Sequence, residues 1–484
     1  MQSNSRTGIR HTKIIATLGP STDQPGVLHE MIENGLSLVR LNFSHGSHDE
    51  HLKRIEHVRA VASELKKQVG ILADLQGPKI RVAGFQEDGV ALLEGKAFCL
   101  DAGWGECDGD VDVVGIDYKS LPGDVSAGDT LLLDDGKIRL QVIKVDGSKI
   151  HCEVICGGFL SSHKGINRLG GGLSAPALTE KDREDMRFAL EQEVHYIAIS
   201  FPRNAEDMLT AREVMQFYGG QAGLVAKIER YDAIDHIDDI IRVSDAVMVA
   251  RGDLAVEIGD ENVPLIQKKI IKRARVLNKP VITATQMMES MIHQAVPTRA
   301  EVSDVANAVI DYTDAVMLSA ETAVGEHPSL VLNYMSRACM GAEESPRAKI
   351  SGHRIECQFE HVDEAVAMAT MYTANHLNIK AIITLTESGS TPLWMSRIRT
   401  SIPIYALCRN HHSLGLMTMY RGVFPIYFDV TQYAREDVNR MATSCLERRG
   451  IIQTGDQVIL TKGDFQGVGG YTNAMKILIV GEVR

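Results

Sequence analysis

The sequence contains no apolar run approaching the ~18 residues that a membrane-spanning helix requires. Its opening stretch, MQSNSRTGIRHTK, has no apolar h-region, so a secretory signal is not expected. Basic residues are in deficit: 51 Lys and Arg stand against 63 Asp and Glu, a formal net charge of −12. That balance argues against sequence-independent binding to nucleic acid or to an anionic membrane, both of which need a basic surface. Small anionic ligands stay open, because they answer to local charge. The eight cysteines are scattered, and neither Cys99/Cys107 nor Cys152/Cys156 has a partner CxxC or HxxxH. A zinc site is therefore not expected; reduced thiols in a cytoplasmic protein are. Low-complexity segments are missing too, and a composition 44% hydrophobic and 24% charged excludes wholesale disorder.

What is present is a long alternation of short apolar runs with helical patterns, in a chain of 484 residues that suits two to four domains. The apolar runs begin at Lys13, Ser37, Val69, His195, Leu224, Asp245, Pro280 and Asp314. Each reads as a strand buried on both faces, as parallel strands are. Helical spacing between them, for example over 49–67, 205–217, 264–277 and 298–310, predicts a (β/α)₈ barrel. Between Gly77 and Ala175 the helical spacing vanishes, and DTLLLDDGKIRLQVIKVDGSKIHCEVI reads as strands joined by DDG and DG turns. An all-β insertion over 79–166 follows, leaving 1–78 and 167–345 for the barrel. After a polar, aperiodic stretch, 346–484 reads as a second α/β unit of doubly wound type.

In such a barrel the reactive groups gather at the carboxyl ends of the strands. Those ends carry Arg40, Asn42 and Ser44; Asp74; Lys227 and Glu229; Arg251, Gly252 and Asp253; Thr285 and Gln286; Ser319 and Glu321. Core packing gives no reason for Lys, Glu, Arg and Asp beside Val and Ile. Lys227 and Glu229 are two apart on a strand, so both side chains point to one face. Glu229 and Asp253 suit a divalent cation that keeps several waters and ligand oxygens, hence Mg²⁺ or Mn²⁺. Arg40 adds a forked donor for phosphate or carboxylate, and Gly252 permits close approach of backbone N–H groups. A Lys, an Arg and a metal converging on an anion form the apparatus of phosphoryl transfer. A Mg²⁺-dependent barrel lyase or aldolase working through a pyruvate enolate would share the Arg and both carboxylates. It would need neither Lys227 nor the insertion. A non-catalytic metabolite-binding regulator would be expected to have lost Lys227, Asp253 or Thr285, and all are present.

The segments RLNFSHGSH (40–48), DLQGPKIR (74–81), GLVAKIERYDA (223–233), MVARGDLAVEI (248–258), ATQMMESM (284–291) and PTRAEVSDVANAV (297–309) resemble the pyruvate kinase family, from about residue 10 onward. The likeness is strongest to bacterial enzymes activated by sugar phosphates or AMP. The resemblance implies that the barrel binds phosphoenolpyruvate, the insertion is a lid over ADP, and the C-terminal domain takes an effector. It implies that Lys227 stabilises the phosphoryl group in transfer and that Glu229 and Asp253 hold Mg²⁺. Arg40 would bind phosphate, Gly252, Asp253 and Thr285 would contact substrate, and Thr285 would join the network that protonates the enolate to pyruvate. Asn42, His45, Arg81 and Lys164 would face ADP or ATP; His45 and Lys164 read equally as solvated hinge residues. A cytoplasmic homotetramer is implied as well.

Many family members need K⁺, held by Asn, Ser, Asp and Thr, with a Glu five residues after that Asp. Here Asn42, Ser44 and Asp74 are present, but Leu75 replaces the Thr and Lys79 the Glu. An ammonium in that place implies activity without K⁺; the alternative is an exposed hinge lysine. In TLTESGST (384–391) hydroxyls and a Gly open a helical pattern after a strand, a phosphate-binding arrangement. Thr384, Thr386, Ser388, Gly389, Ser390 and Thr391 are thus candidates for a sugar-phosphate or AMP effector, with Ser396, Arg397 and the Gly-rich 463–473 in support. A plain loop and helix cap is the other reading. Ser390 stands where the family often has Arg or Lys, which leaves the ligand's identity open.

Overall fold

The structure is a computed structural model that describes residues 8–346, 358–464 and 471–482. Eight parallel strands close into a barrel: β1 (Lys13–Thr17), β2 (Leu38–Asn42), β3 (Gly70–Asp74), β4 (Tyr196–Ile199), β5 (Gly223–Ile228), β6 (Ala246–Ala250), β7 (Val281–Ala284) and β8 (Ala315–Leu318). The ring closes where Lys13 pairs with Ala315. Strands β1, β3, β4, β6, β7 and β8 are buried at every position, which explains why they read as apolar runs without alternation.

The surrounding helices begin at side-chain caps. Ser47 with Glu50, Thr179 with Asp182 and Thr298 with Glu301 each form a reciprocal capping box, which satisfies backbone N–H groups the first turn leaves open. The TRAE motif is therefore in part a helix start: Thr298 is the cap, and Glu301 also accepts from the Ser290 N–H and hydroxyl.

The segment after β3 folds as strands, with the single one-turn helix Leu121–Asp124 among its described residues. Gly89–Leu92 pairs with Gly158–Ser161, and a six-stranded sheet runs in the order Ile166–Arg168, Thr130–Leu133, Ile138–Asp146, Lys149–Cys156, Ala97–Asp101, Val113–Gly115. The DDG turn is where the sequence predicts it. Asp134, Asp135 and Gly136 all have positive φ (48°, 56° and 84°).

The C-terminal unit is a five-stranded sheet of β9 (Ala381–Leu385), β10 (Ile404–Cys408), β11 (Val423–Tyr427), β12 (Gln457–Gly463) and β13 (Thr472–Ile479), in the order β11-β10-β9-β12-β13. All neighbours are parallel except β13, which is antiparallel to β12. This unit plugs the amino end of the barrel. Interior residues Ile15, Leu72, Val225, Met248 and Ile282 share one buried cluster with Leu414, Met417 and Met419. The connections to the insertion lie at the opposite, carboxyl end of the barrel, where Lys79 meets Asp253 and the Gly170 N–H donates to Glu257 O.

Candidate active site

Lys227, near the end of β5, reaches across the barrel mouth. Its ammonium lies 2.9 Å from Glu229 Oε1 and 3.2 Å from Asp74 Oδ1, and donates to Ser200 Oγ at 2.7 Å. Burial works to lower its pKa; Asp74 and Glu229 outweigh that and raise it. Arg40 is locked at the end of β2, with Nε and Nη2 both 2.6 Å from Asp74 Oδ2 and Nη1 donating to Thr17 Oγ1 at 3.1 Å. Asp74 is 1% exposed. Burial works to raise its pKa, but Lys227 and Arg40 outweigh that and keep it ionised.

Glu229 is 1% exposed and accepts from the Phe201 N–H at 3.0 Å. Burial pushes its carboxyl up to about 7, and Asp253 and Asp74 add to the push against Lys227. Three carboxylates thus share one pocket. Each of the two proposed metal carboxylates has an ammonium against it: Lys227 on Glu229, and Lys79 on Asp253 at 3.2 Å. Positive charge is what this pair calls for, and a divalent cation fits it. Among the described residues no cluster of three or more His, Cys, Asp or Glu has metal-ligand spacing. An ion here would draw its remaining ligands from water and substrate, as Mg²⁺ does.

Gly252 and Asp253 lie in the first turn of the helix Arg251–Ile258, which starts directly after β6. The Gly252 N–H donates to Thr285 Oγ1 at 2.9 Å, and that hydroxyl donates to Ala284 O at 2.6 Å. Thr285 and Gln286 both have positive φ, 64° and 53°, at the end of β7. Arg251 explains how this strained pair is held. Its guanidinium donates to the carbonyls of Ala284, Thr285 and Gln286 at 2.5–3.2 Å and meets Asp304 at 2.7 Å. Arg251 therefore braces the loop from below and is turned away from the pocket that Lys227 faces. Ser200 and Thr17 orient Lys227 and Arg40, and no charged neighbour or motif in the sequence marks them out among the apolar strand residues.

The nucleotide candidates lie at the rim. Asn42 Nδ2 is 3.1 Å from His45 Nδ1, and its Oδ1 accepts from the Ser44 N–H. Arg81 donates to His163 O at 3.0 Å, and Lys164 pairs with Asp134 at 2.7 Å, both at the junction of insertion and barrel. Lys79 meets Asp253 and, at 3.8 Å, Asp135 of the DDG turn. Asp74, by contrast, is engaged by Arg40 and Lys227.

A second cleft opens on the C-terminal unit and is lined by Thr386, Ser390, Thr391, Lys462 and Thr472. Gly389 (φ 84°) turns the chain into the helix Ser390–Ser396, and its N–H donates to Thr386 Oγ1. Ser388 and Ser390 hydroxyls are 3.1 Å apart, and Thr391 Oγ1 donates to Thr472 Oγ1. Thr384 is buried beneath. Arg397 is not brought to this cleft. It is fully buried at the far end of the helix, paired with Asp314 ahead of β8 and donating to Lys279 O; Ser396 Oγ turns back to Leu393 O. The cations at the cleft are Arg409, Arg435 and Lys462, which come from three distant strand ends and loops. Of the Gly-rich 463–473, residues 465–470 lie outside the described residues.

The arrangement can neutralise, orient and receive a transferring anionic group. The family described as "Pyruvate kinase, barrel domain" matches residues 9–332, and "Pyruvate kinase, alpha/beta domain" matches 364–478. Pyruvate kinase II of Salmonella typhimurium is 53% identical over 480 residues, 98% of this chain and 99% of that protein. A pyruvate kinase of Haemophilus influenzae is 51% identical over 476 residues (98% and 99%), and pyruvate kinase 2 of Synechocystis is 41% identical over 475 (97% and 79%). Two family matches in register with barrel and C-terminal sheet, and relatives aligned over nearly the whole chain, remove the lyase reading: the chain belongs to the pyruvate kinase family.

Proposed function

We propose that the protein transfers the phosphoryl group of phosphoenolpyruvate to ADP, giving pyruvate and ATP. The observation that carries this reading is the convergence of Lys227 and Arg40 on a pocket with two carboxylates suited to a divalent cation. Phosphoryl transfer runs on positioning and charge neutralisation, and these groups supply both. Arg40, held flat by Asp74 and Thr17, binds the phosphate with its fork. Lys227, kept charged by Asp74 and Glu229, meets the phosphoryl oxygens as the bridge to the enolate breaks. Glu229 and Asp253 would hold Mg²⁺ or Mn²⁺, which supplies Lewis-acid neutralisation of phosphate and enolate oxygens. Gly252 offers its backbone to the carboxylate end of the substrate. Thr285 Oγ1, fixed between Gly252 N–H and Ala284 O, belongs to the hydroxyl and water network that returns a proton to the enolate. Asn42, His45, Arg81 and Lys164 face the nucleotide beneath the insertion 79–166, which acts as a lid. Formation of pyruvate that depends on both phosphoenolpyruvate and ADP, coupled to lactate dehydrogenase, tests the reading; no ADP-dependent pyruvate would reject it.

Lys79, which stands where the K⁺-requiring members of the family have a Glu, brings a fixed positive charge to the barrel mouth against Asp253, and turnover without K⁺ follows. The C-terminal cleft, with the candidates of 384–391 beside Arg409, Arg435 and Lys462, takes a phosphorylated effector. Arg409 and Arg435 are paired with Glu387 and Asp464, and burial lowers the pKa of Lys462 with help from Lys476 and Arg435. An incoming phosphate would relieve that crowding. Thermal shift with glucose 6-phosphate, ribose 5-phosphate, fructose 1,6-bisphosphate and AMP distinguishes the ligands, and no shift with any of them rejects the site. A cytoplasmic homotetramer completes the proposal. Among the described residues no helix is long and apolar enough to cross a membrane.

A further inference from the structure

Glu257 takes no part in the chemistry above, yet it is a carboxylate only 3% exposed, one turn beyond Asp253 in the helix Arg251–Ile258. At positions i and i+4 the two side chains share a helix face. Its Oε2 accepts from the Tyr231 N–H at 2.8 Å, two residues past Glu229. Its Oε1 accepts from Asn167 Nδ2 at 3.4 Å, and its backbone carbonyl accepts from the Gly170 N–H at 3.4 Å. Asn167 lies in Ile166–Arg168, the strand by which the chain leaves the insertion and returns to the barrel. One residue of the helix bearing Asp253 thus ties that helix to the loop that follows Glu229 and to the return limb of the lid.

Two neighbours reinforce the bracket. Arg230 donates to Leu173 O at 2.9 Å, and Asp232 accepts from the Gly172 N–H at 3.0 Å. The short stretch 230–232, directly after Glu229, therefore grips the return limb over 172–173. That limb is a run of three glycines, 170–172, with φ between 77° and 86°. The positive φ disfavours any side chain there, and a Cβ would also press on neighbours: one on Gly171 would lie 2.9 Å from the Asp232 carboxylate, and one on Gly172 2.4 Å from the Arg168 guanidinium. In the DDG turn of the lid, a Cβ added at Gly136 would come within 3.9 Å of Val256 of the same helix.

We propose that Glu257 is a positioning residue that couples the lid's return limb to the two carboxylates proposed to hold the metal, so that lid placement and metal geometry are set together. This rests on the phosphoryl-transfer reading. A hinge that absorbs lid motion acts on catalysis only if its position is transmitted to the reacting groups, and a shift of ~1 Å there is costly. Burial pushes the Glu257 carboxyl up to about 7 against the Tyr231 N–H and Arg230, with Asp232 adding to the rise. A neutral amide of the same shape keeps an acceptor for the Tyr231 N–H, and its NH2 can donate to the Asn167 amide oxygen once that side chain turns over, so it should serve nearly as well as the carboxylate.

The test uses the full-length enzyme and four variants. Glu257→Ala should raise KM for ADP and lower kcat by about tenfold each, while KM for phosphoenolpyruvate stays within about twofold. Glu257→Gln should restore most of the loss. Asn167→Ala should reproduce the Ala phenotype in part, and the double variant should be no worse than Glu257→Ala. Amide hydrogen exchange over 166–173 should quicken in Glu257→Ala and Asn167→Ala, a readout independent of turnover. Unchanged ADP kinetics in Glu257→Ala, a Gln variant as poor as Ala, or strictly additive losses would each overturn the proposal. If Glu257→Ala fails to fold, Asn167→Ala carries the same test, and unaltered exchange and ADP kinetics in it overturn the proposal. A wild-type enzyme that makes no pyruvate from phosphoenolpyruvate and ADP would instead reject the underlying function, while the exchange result still reports on the bracket.

Discussion

Lys227 is the residue on which charge balance in the barrel mouth depends. Removing it leaves Asp74 and Glu229 facing each other in a buried pocket with Arg40 as their remaining close cation. Lys227→Met should therefore lower kcat by at least ~10²-fold through lost stabilisation of the transferring group. A variant that turned over at the wild-type rate would end the role assigned to Lys227. Lys79 makes a different prediction, because its ammonium already lies against Asp253 and near Asp135. Replacing K⁺ by a tetraalkylammonium salt should leave turnover within about twofold, since a fixed charge at ~3 Å outweighs a diffusible one. Collapse of turnover in that salt would show that a monovalent ion is required after all. Lys79→Ala should lose activity and regain part of it with added K⁺.

At the scale of elements, the strained loop after β7 and the brace beneath it decide where Thr285 points. Arg251 supplies a planar fork that reaches three successive carbonyls and Asp304 at once. A lysine carries the charge without the fork. Arg251→Lys should accordingly lower kcat/KM for phosphoenolpyruvate by about tenfold to a hundredfold, from misplacement of Thr285 alone. Steady-state kinetics check this, and an unchanged kcat/KM would show that Thr285 is held without Arg251. This brace also marks the limit of what the sequence makes legible. The barrel strands were readable because double-sided burial writes continuous apolar runs, and Lys227 with Glu229 because a strand has period two. Arg251 in RGD reads as one more charged strand end; only the fold reveals that it turns away from the pocket. Arg397 is the same lesson in the C-terminal unit. Seven residues along a helix from Ser390, it belongs to the opposite end of that helix, while Arg409, Arg435 and Lys462 reach the cleft from chain segments no local pattern connects.

For the whole molecule, the decisive contact is the seal between the barrel's amino end and the C-terminal unit. His195, at the foot of β4, accepts from the Ile71 N–H through Nδ1 at 3.0 Å and packs on Gly415, where an added Cβ would lie 1.8 Å from the ring. His412 stacks nearby, with ring centroids 5.9 Å apart. Burial lowers the His195 pKa to about 3, aided by His412 and Arg59, so the folded ring stays neutral where the unfolded one, near 6.5, takes a proton. The sign follows. With the folded pKa below the unfolded one, the unfolded state binds more protons between these values, so stability is full above about 6.5 and is lost progressively as pH falls toward 3. His195→Asn keeps an acceptor near the Nδ1 position and removes the titration. Its melting temperature should fall less steeply than the wild type's between pH 7 and pH 4.5, with the curves converging on the acid side, as read by thermal unfolding at a series of pH values. Parallel curves would remove His195 from the account and leave the acid loss to other buried groups at the same seam, His11 among them, whose pKa burial lowers to about 4. Because this seam lies at the end of the barrel away from Lys227, partial acid opening should loosen the C-terminal unit first. Acid-accelerated hydrogen exchange in 411–420 ahead of the strands bearing Lys227 and Arg40 would show that order, and simultaneous loss would show that barrel and C-terminal unit open as one cooperative body.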